Sequence, residues 1–328
     1  MPFAPFHVKV TSTGLYAPPR VETAEDLAEK VGKSAAWIRE RTGVSRRHVA
    51  HEPVERMAAS AAAAALAGLG SSVPPDLILY ASTTPRQLIP DTSVFVQREL
   101  GLEGVACHSL HATCLSFLVA LHSAAAFVQT GAYRKVLVVS AEIGSAARNF
   151  EEAESAVLLG DGAAAAVVEP TPPGESSRML GYLATTLPEA APFAELRGFG
   201  IQRPPHGPET RADDHLFHMN GTRLFRLALV HIGPLLERLF EWTGLAAADI
   251  DLVVPHQPSR PGLDLLGYWG FTPDRVVNIV GEYGNCIAAS MPMALATAHA
   301  EGRLVRGQRV LLVGTGAGMS VGAAILEW

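Results

Sequence analysis

Apolar positions recur along this chain with two periods. Runs such as Asp76-Leu-Ile-Leu-Tyr, Lys135-Val-Leu-Val-Val-Ser, Asp251-Leu-Val-Val-Pro and Arg309-Val-Leu-Leu-Val-Gly are apolar at nearly every position. That is the pattern of strands covered on both faces. In the first part, strands are predicted near 7–14, 76–82, 105–109, 135–140 and 163–168. Helices are predicted from Ser34 through Trp37 and Arg41, over 57–70, over 92–100 and from about Cys114 to Gln129. The stretch 57–70 carries eight alanines in fourteen positions, which favours helix and lets backbones approach closely. A Pro-containing loop is read at 17–19, and the charged segment 148–156 reads as a loop or short helix before Gly160-Asp161-Gly162. In the second part, strands are predicted near 178–187, 251–255, 275–280, 309–313 and 320–327, with helices at 221–243, 259–269 and 286–300. A Pro- and His-rich stretch at 189–215 reads as irregular surface.

The order of elements repeats. Asp76 and Asp251 open matching runs 175 positions apart, and Lys135 and Arg309 open another pair 174 apart. Two near-equal offsets argue for duplication, with a boundary in the Pro/Gly/Ser-rich stretch 169–177. We therefore divide the chain into halves at 1–170 and 171–328. Strands alternating with helices predict an α/β fold whose sheets are covered on both faces, with corresponding loops of the two halves converging.

Composition narrows the picture. The 328 residues include 48% hydrophobic and 18% charged positions, and 26 basic against 32 acidic residues leave a net charge of −6. No global basic field exists to hold nucleic acid or an anionic membrane. Three cysteines, Cys107, Cys114 and Cys286, without CxxC spacing point to a reducing compartment. The amino terminus lacks a basic start and apolar core, and no apolar run is long enough to span a bilayer, so the expected location is cytoplasmic.

Cys114, in His111-Ala-Thr-Cys-Leu-Ser, falls between a predicted strand and an apolar helix. Helix-start N–H groups and the dipole favour a thiolate there; the alternative is a small buried hydrophobe. His256 follows strand 251–255, and Asn285 precedes the matching helix of the second half. Together they can orient a carbonyl and stabilise charge on its oxygen, helped by N–H groups of Gly314-Thr-Gly-Ala-Gly318; His256 as an ordinary loop histidine is the other reading. His108, His111 and Cys114 share no helical face, so no metal site is expected. The glycines at 314–318 lack dinucleotide spacing. Trp37, Arg41, Arg46 and Arg47 form a patch able to stack on a purine and pair with phosphates, or simply a solvated surface.

These residues, taken in order, resemble the thiolase-fold ketosynthase superfamily, most closely its β-ketoacyl-acyl-carrier-protein synthase III type. The matching pieces are Trp37-Ile-Arg-Glu-Arg41-Thr-Gly-Val, Thr83-Thr-Pro, the elbow at 111–117, Gly160-Asp-Gly162, Val254-Pro-His256-Gln, Gly284-Asn285 and Gly314-Thr-Gly-Ala-Gly318. The resemblance implies a thiolase-like α/β fold of two duplicated halves layered α-β-α-β-α. It implies Cys114 as the acylated nucleophile, His256 and Asn285 as the pair that stabilises a thioester enolate, and an oxyanion hole from the N–H groups of Cys114 and Ala317. Trp37 and Arg41 match the coenzyme A entrance. Ile89 matches a position that shapes the partner subunit's acyl pocket, so a homodimer is implied.

The implied reaction loads an acyl group from acyl-CoA onto Cys114 and condenses it, with loss of carbon dioxide, with malonyl-acyl-carrier-protein (malonyl-ACP). Coenzyme A thioester is substrate, and no permanently bound cofactor is implied. Leu115-Ser116 replaces the family's usual Ser-Gly and Tyr283-Gly-Asn-Cys286 its usual His-Gly-Asn-Thr, so Leu115 and Cys286 are expected to reshape the acyl pocket, as a specialised starter unit would require. The alternatives are acyl transfer without condensation, non-decarboxylative condensation, and a non-catalytic carrier-binding paralogue.

Overall fold

The computed structural model describes residues 4–70 and 72–328; the first three residues of the amino-terminal stretch read for a leader lie outside them. In the first half the strands are β1 (Val8–Tyr16), β2 (Arg20–Thr23), β3 (Arg46–Val49), β4 (Leu77–Tyr80), β5 (Ala106–Ser109), β6 (Val136–Ile143) and β7 (Asp161–Pro170). Five of them form one sheet in the order β1-β7-β6-β4-β5, with β5 at an edge. The second half contributes β8 (Arg178–Thr186), β9 (Ala194–Glu195), β10 (His218–Met219), β11 (Leu252–Pro255), β12 (Arg309–Gly316) and β13 (Ser320–Glu327). Its sheet runs β11-β12-β13-β8.

The sheets share one plan. β1 is antiparallel to β7, β7 to β6, and β6 is parallel to β4; β8, β13, β12 and β11 repeat those senses in the same order. β4 then continues into parallel β5, whereas β11 meets only a single parallel bridge from Val253 to Val276. The strand predicted at 275–280 is thus corrected. Pro273 opens a 3₁₀ turn over Pro273–Arg275, and the Gln257 side chain takes over the missing ladder. Its Nε2 donates to Val277 O at 3.0 Å and its Oε1 accepts from the Ile279 N–H at 2.9 Å.

The core resolves into layers. Helices Ser116–Gln129 and Ser290–Ala300 lie between the sheets, where Leu118, Leu121, Met291 and Leu295 pack with Val136 and Val138 of one sheet and Val254, Val310 and Leu312 of the other. Opposite faces of the same strands turn outward. Ile78, Leu137 and Val139 meet Met57, Ala58, Ala61 and Ala65 of helix Val54–Ala67. Val253, Leu311 and Val313 meet Ile232, Leu235 and Leu239 of helix Gly221–Thr243. The result is the α-β-α-β-α stack, and it explains the continuous apolar runs. The alanines matter sterically: a Cβ on Gly14 of β1 would come within 2.3 Å of Ala61 O, so strand and helix backbones touch.

Several elements escaped the pattern. Strands β2 and β3 pair antiparallel across the two helices between them, helix Ala24–Val31 follows β2 behind a Thr23/Asp26 capping box, and the short strands β9 and β10 pair with each other. The predicted helix at 259–269 is a short α-helix, Arg260–Asp264, continued by a 3₁₀ segment, Leu265–Trp269. The helix predicted from 286 becomes regular only at Ser290.

Candidate active site

The elbow at 111–117 is built from a tight local network. Thr113 takes a left-handed conformation, φ 51°, which a threonine adopts only when its surroundings hold it. Ser116 does so: its hydroxyl donates to Thr113 O at 2.6 Å and accepts from the Ala112 N–H at 2.9 Å. Cys114 therefore leaves the turn just ahead of helix Ser116–Gln129 and keeps partial exposure. Its own N–H and the N–H of Ala317 donate toward its sulfur and pull its pKa down, but burial, followed by the charge of Glu142, pushes the thiol up to about 12. The helix-start N–H groups favour the thiolate in the expected sense, and desolvation outweighs them.

His256 leaves β11 with its N–H bonded to Val313 O at 2.9 Å. It is 4% exposed, its Nδ1 has no hydrogen-bond partner among the described residues, and burial pulls it down to about 4. The imidazole is therefore neutral at physiological pH. Gly314 of β12 makes room for it, since a Cβ there would fall 2.7 Å from His256 Cβ and 3.2 Å from Leu115 Cδ2. One glycine thus brings His256 of the second half against the elbow of the first.

Asn285 is stitched to both halves. Its N–H donates to Leu158 O at 2.8 Å, and the Gly160 N–H donates to its carbonyl at 3.1 Å. Its Oδ1 accepts from the Ile287 N–H at 2.9 Å, while Nδ2 makes a long 3.5 Å contact to Pro258 O, two residues beyond His256. The Gly160-Asp161-Gly162 turn therefore seats the asparagine. A Cβ on Gly160 would lie 2.1 Å from Tyr283 O, which only glycine tolerates.

The remaining expected site residues fall unevenly. Leu115 is buried against Gly314, Gly316 and Gly322, directly beneath the elbow. Cys286 is 1% exposed, against Gly162, with its thiol donating to Tyr283 O at 3.4 Å and pushed well above its usual range by burial. Ile89 is 86% exposed, in the loop after β4, and is followed by a cis peptide bond to Pro90. Trp37 lies half-buried on helix Ala35–Thr42, capped by Ser34, with the Lys33 ammonium 5.5 Å from its ring centroid. Arg41 is exposed and paired with Glu154 at 2.9 Å.

The basic patch is smaller than expected. Arg46 is paired with Glu282 at 2.6 Å, and Arg47 is fully buried, with none of its guanidinium nitrogens hydrogen-bonded among the described residues. Burial and the neighbouring Arg148 lower it to about 10. Arg47 cannot belong to a phosphate-facing surface.

Comparison with known proteins decides the family. The model of 3-oxoacyl-[acyl-carrier-protein] synthase III matches residues 109–186, and the model of its C-terminal region matches 240–328. A β-ketoacyl-[acyl-carrier-protein] synthase III of Symbiobacterium thermophilum is 37% identical over 328 residues, covering 98% of each chain. The chain belongs to the β-ketoacyl-acyl-carrier-protein synthase III family. The crystal structure of the synthase III of Aquifex aeolicus superposes with a TM-score of 0.89 at 31% identity, covering 98% of this chain and 100% of that one. The priming β-ketosynthase of the R1128 polyketide pathway gives 0.89 at 28% identity, covering 98% and 96%. This is a condensing-enzyme family of acyltransferases with the thiolase fold, acting on acyl-CoA and acyl-carrier-protein substrates.

Three further residues surround the candidate site. Ser116 and Gln257 were visible beside Cys114 and His256, but their bonding was not. Glu142, the one acidic residue at the end of an otherwise apolar run, is fully buried and accepts from the N–H and hydroxyl of Thr83 at 2.7 and 2.6 Å and from those of Thr84 at 3.1 and 2.6 Å. Burial raises it to about 7 despite these donors. Among the described residues no group of three or more His, Cys, Asp or Glu is arranged to hold a metal ion, and no helix is long and apolar enough to cross a membrane.

Proposed function

We propose that this synthase III loads an acyl group from acyl-CoA onto Cys114 and condenses it with malonyl-ACP to give β-ketoacyl-ACP. The observation that carries the reading is the pair of N–H groups, from Cys114 and Ala317, directed at the Cys114 sulfur beside a buried, neutral His256. The sulfur attacks the acyl thioester carbonyl, whose oxygen becomes an oxyanion facing those N–H groups. Collapse expels the coenzyme A thiolate, which takes up the proton lost by Cys114. Malonyl-ACP then loses carbon dioxide, and its thioester oxygen accepts hydrogen bonds from the neutral imidazole and from Asn285 Nδ2, held now only by a long contact. The resulting carbon attacks the acyl-enzyme, and Cys114 leaves as thiolate and is reprotonated.

Neutral His256 suits this role, since an imidazolium would compete for the malonyl carboxylate and a neutral ring can donate to an enolate. Trp37 and Arg41 would meet the coenzyme A nucleotide. Leu115 and Cys286 would set the size of the starter acyl group, and similarity to a priming ketosynthase supports a specialised starter. The proposed assembly is a homodimer: β5 is an open sheet edge, and Leu88 and Ile89 are exposed beyond it, so Ile89 would enter the partner's pocket. The halves 1–170 and 171–328 would derive from a duplication, in keeping with their matching sheets. Three free thiols fit a cytoplasmic enzyme.

Intact-protein mass spectrometry after incubation with acyl-CoA tests the loading step. Wild type gains the acyl mass and Cys114→Ala does not; equal labelling of the variant removes the proposal. His256→Ala and Asn285→Ala load normally but release little carbon dioxide from malonyl-ACP. Transfer of the acyl group to an alcohol or amine without carbon dioxide would instead favour the non-condensing alternative.

A further inference from the structure

We propose that His218, as an imidazolium, is a positioning residue for the acyl-CoA entrance: it clamps segment 194–219 of the second half onto the first and so seats Met219. The proposal rests on the reading of Trp37 and Arg41 as the place where the nucleotide enters. Both ring nitrogens meet oxygen. Nδ1 lies 2.8 Å from Glu152 Oε1, and Nε2 lies 3.1 Å from Asp213 O and 3.3 Å from Asp213 Oδ1. Ionised carboxylates and a carbonyl only accept, so a neutral ring satisfies one side and turns a lone pair toward the other. The imidazolium serves both. The charged groups around it are Glu152, ahead of helix Ala153–Ala156, Asp213 of the turn Ala212–His215, Glu195 opposite it in β9, and Arg197, whose Nη2 is 3.4 Å from Nε2. Arg197 is itself engaged by Asp213 and Asp214 at 3.0 Å each, so the field at the ring stays negative. His215 of the same turn sits against Gly198 and Phe199 instead.

The clamp sits beside the entrance. The second carboxylate oxygen of Glu152 accepts from the Met219 N–H at 3.0 Å, and the Phe217 N–H donates to Ala147 O at 2.8 Å. Met219 packs on Val44, Leu158, Leu263 and Val280. Val44 follows helix Ala35–Thr42, which carries Trp37 and Arg41, and Leu158 O accepts from the Asn285 N–H. Glu154, two residues past Glu152, holds Arg41 at 2.9 Å. Segment 194–219, the entrance helix and the Asn285 seat thus meet at Met219, whose backbone hangs from the same carboxylate as the imidazole. Burial pulls the ring down, but Asp213 and Glu152 outweigh it and hold the imidazolium above its usual range. The clamp is therefore closed at low pH and opens as pH rises and the ring loses its proton.

The test is hydrogen exchange over residues 213–220, corrected for intrinsic rates, together with KM for acyl-CoA, in wild type, His218→Gln and Glu152→Gln. Between about pH 6 and about pH 8.5 the wild type loses protection about two- to fivefold, and its KM rises by a similar factor relative to His218→Gln. The kcat of loading keeps a constant ratio between the two. His218→Gln cannot titrate, so its protection does not change over that range. Glu152→Gln keeps the ring but removes one carboxylate, so protection is lost at lower pH than in wild type; it decides the matter if His218→Gln does not fold. A His218 that merely packs would lower protection in His218→Gln by the same factor at every pH. That result, superimposable profiles for wild type and Glu152→Gln, or a ratio of KM values constant with pH overturns the proposal. Trp37→Ala with Arg41→Ala separates the underlying reading: an unchanged KM for acyl-CoA there removes the entrance, while the exchange profiles still decide whether His218 clamps the segment.

Discussion

Gly314→Ala offers a direct probe of how His256 is placed. A Cβ at Gly314 would lie 2.7 Å from His256 Cβ, where ordinary contact begins at 3.4 Å, and 3.2 Å from Leu115 Cδ2. The atom met is bonded to the His256 backbone, so no rotamer change relieves it and His256 must retreat by about 0.7 Å. Overpacking of this kind costs about 1–3 kcal/mol, and a displacement approaching 1 Å at a reacting group costs up to roughly a hundredfold in rate. Gly314 needs no special backbone conformation, so crowding is the whole effect. The prediction is a condensation rate lowered about ten- to a hundredfold, with Cys114 loading from acyl-CoA within roughly threefold of wild type, because the elbow is held by Ser116 rather than by Gly314. Carbon dioxide release from malonyl-ACP and intact-mass loading, measured on one preparation, give both numbers. Wild-type condensation, or loading and condensation falling together, would refute the placement of His256 in the second step alone.

Other expectations follow from the same geometry. His256 falls from its ordinary 6.5 to about 4, so between those values the unfolded chain binds more protons there and stability is lost as pH falls; Glu142 rises from 4.5 to about 7, so the folded chain binds more and stability is lost as pH rises. The two slopes nearly cancel from pH 4.5 to 6.5, and His256→Gln, leaving Glu142 unopposed, loses roughly 2–3 kcal/mol across that window relative to wild type, measured by urea midpoints. Arg47→Met removes a buried guanidinium with no hydrogen bond among the described residues and leaves the melting temperature equal or higher, whereas Arg148→Met, which leaves buried Glu22 with Lys30 as its one ion-paired cation and takes the guanidinium from Leu159 O, destabilises by about 3 kcal/mol. Trp37→Ala with Arg41→Ala raises KM for acyl-CoA but not for the same acyl group on a short pantetheine thiol, and equal effects on both would remove these residues from the nucleotide entrance.

The layered core was legible because its physics is local. A strand covered on both faces is apolar at every position, so Leu77–Tyr80 and Leu252–Pro255 announce themselves. The same logic failed at 275–280, where the apolar letters Val276, Val277, Ile279 and Val280 suggest a strand but Gln257, nineteen or more positions away, supplies the hydrogen bonds that a neighbour would have supplied. Helix Ala24–Val31 was missed for the opposite reason. It is polar over most of its surface, buries only Ala24 and Leu27, and its clearest signal is a capping box rather than a periodicity.

The site divides along a similar line. Cys114, His256 and Asn285 can be picked out because each stands at the end of a recognisable strand or the start of a helix, where chemistry is usually displayed, whereas the Ala317 N–H is singled out only by the family resemblance. What could not be read was the electrostatic balance among them. A helix start argues for a thiolate, yet burial and a carboxylate from a strand 28 positions away reverse the outcome. Arg47 makes the same point in reverse: as a letter beside Arg46 it is a phosphate ligand, and as a side chain it faces Gly160 and Gly284 in the interior. Charge in a protein acts through dielectric and distance, and neither is written in sequence order. Motifs therefore mark positions along the chain, while the burial that shifts Cys114, Glu142 and His256 depends on the whole fold. Glu142 shows that difference most plainly, since the same carboxylate that accepts from Thr83 and Thr84 also raises the Cys114 thiol.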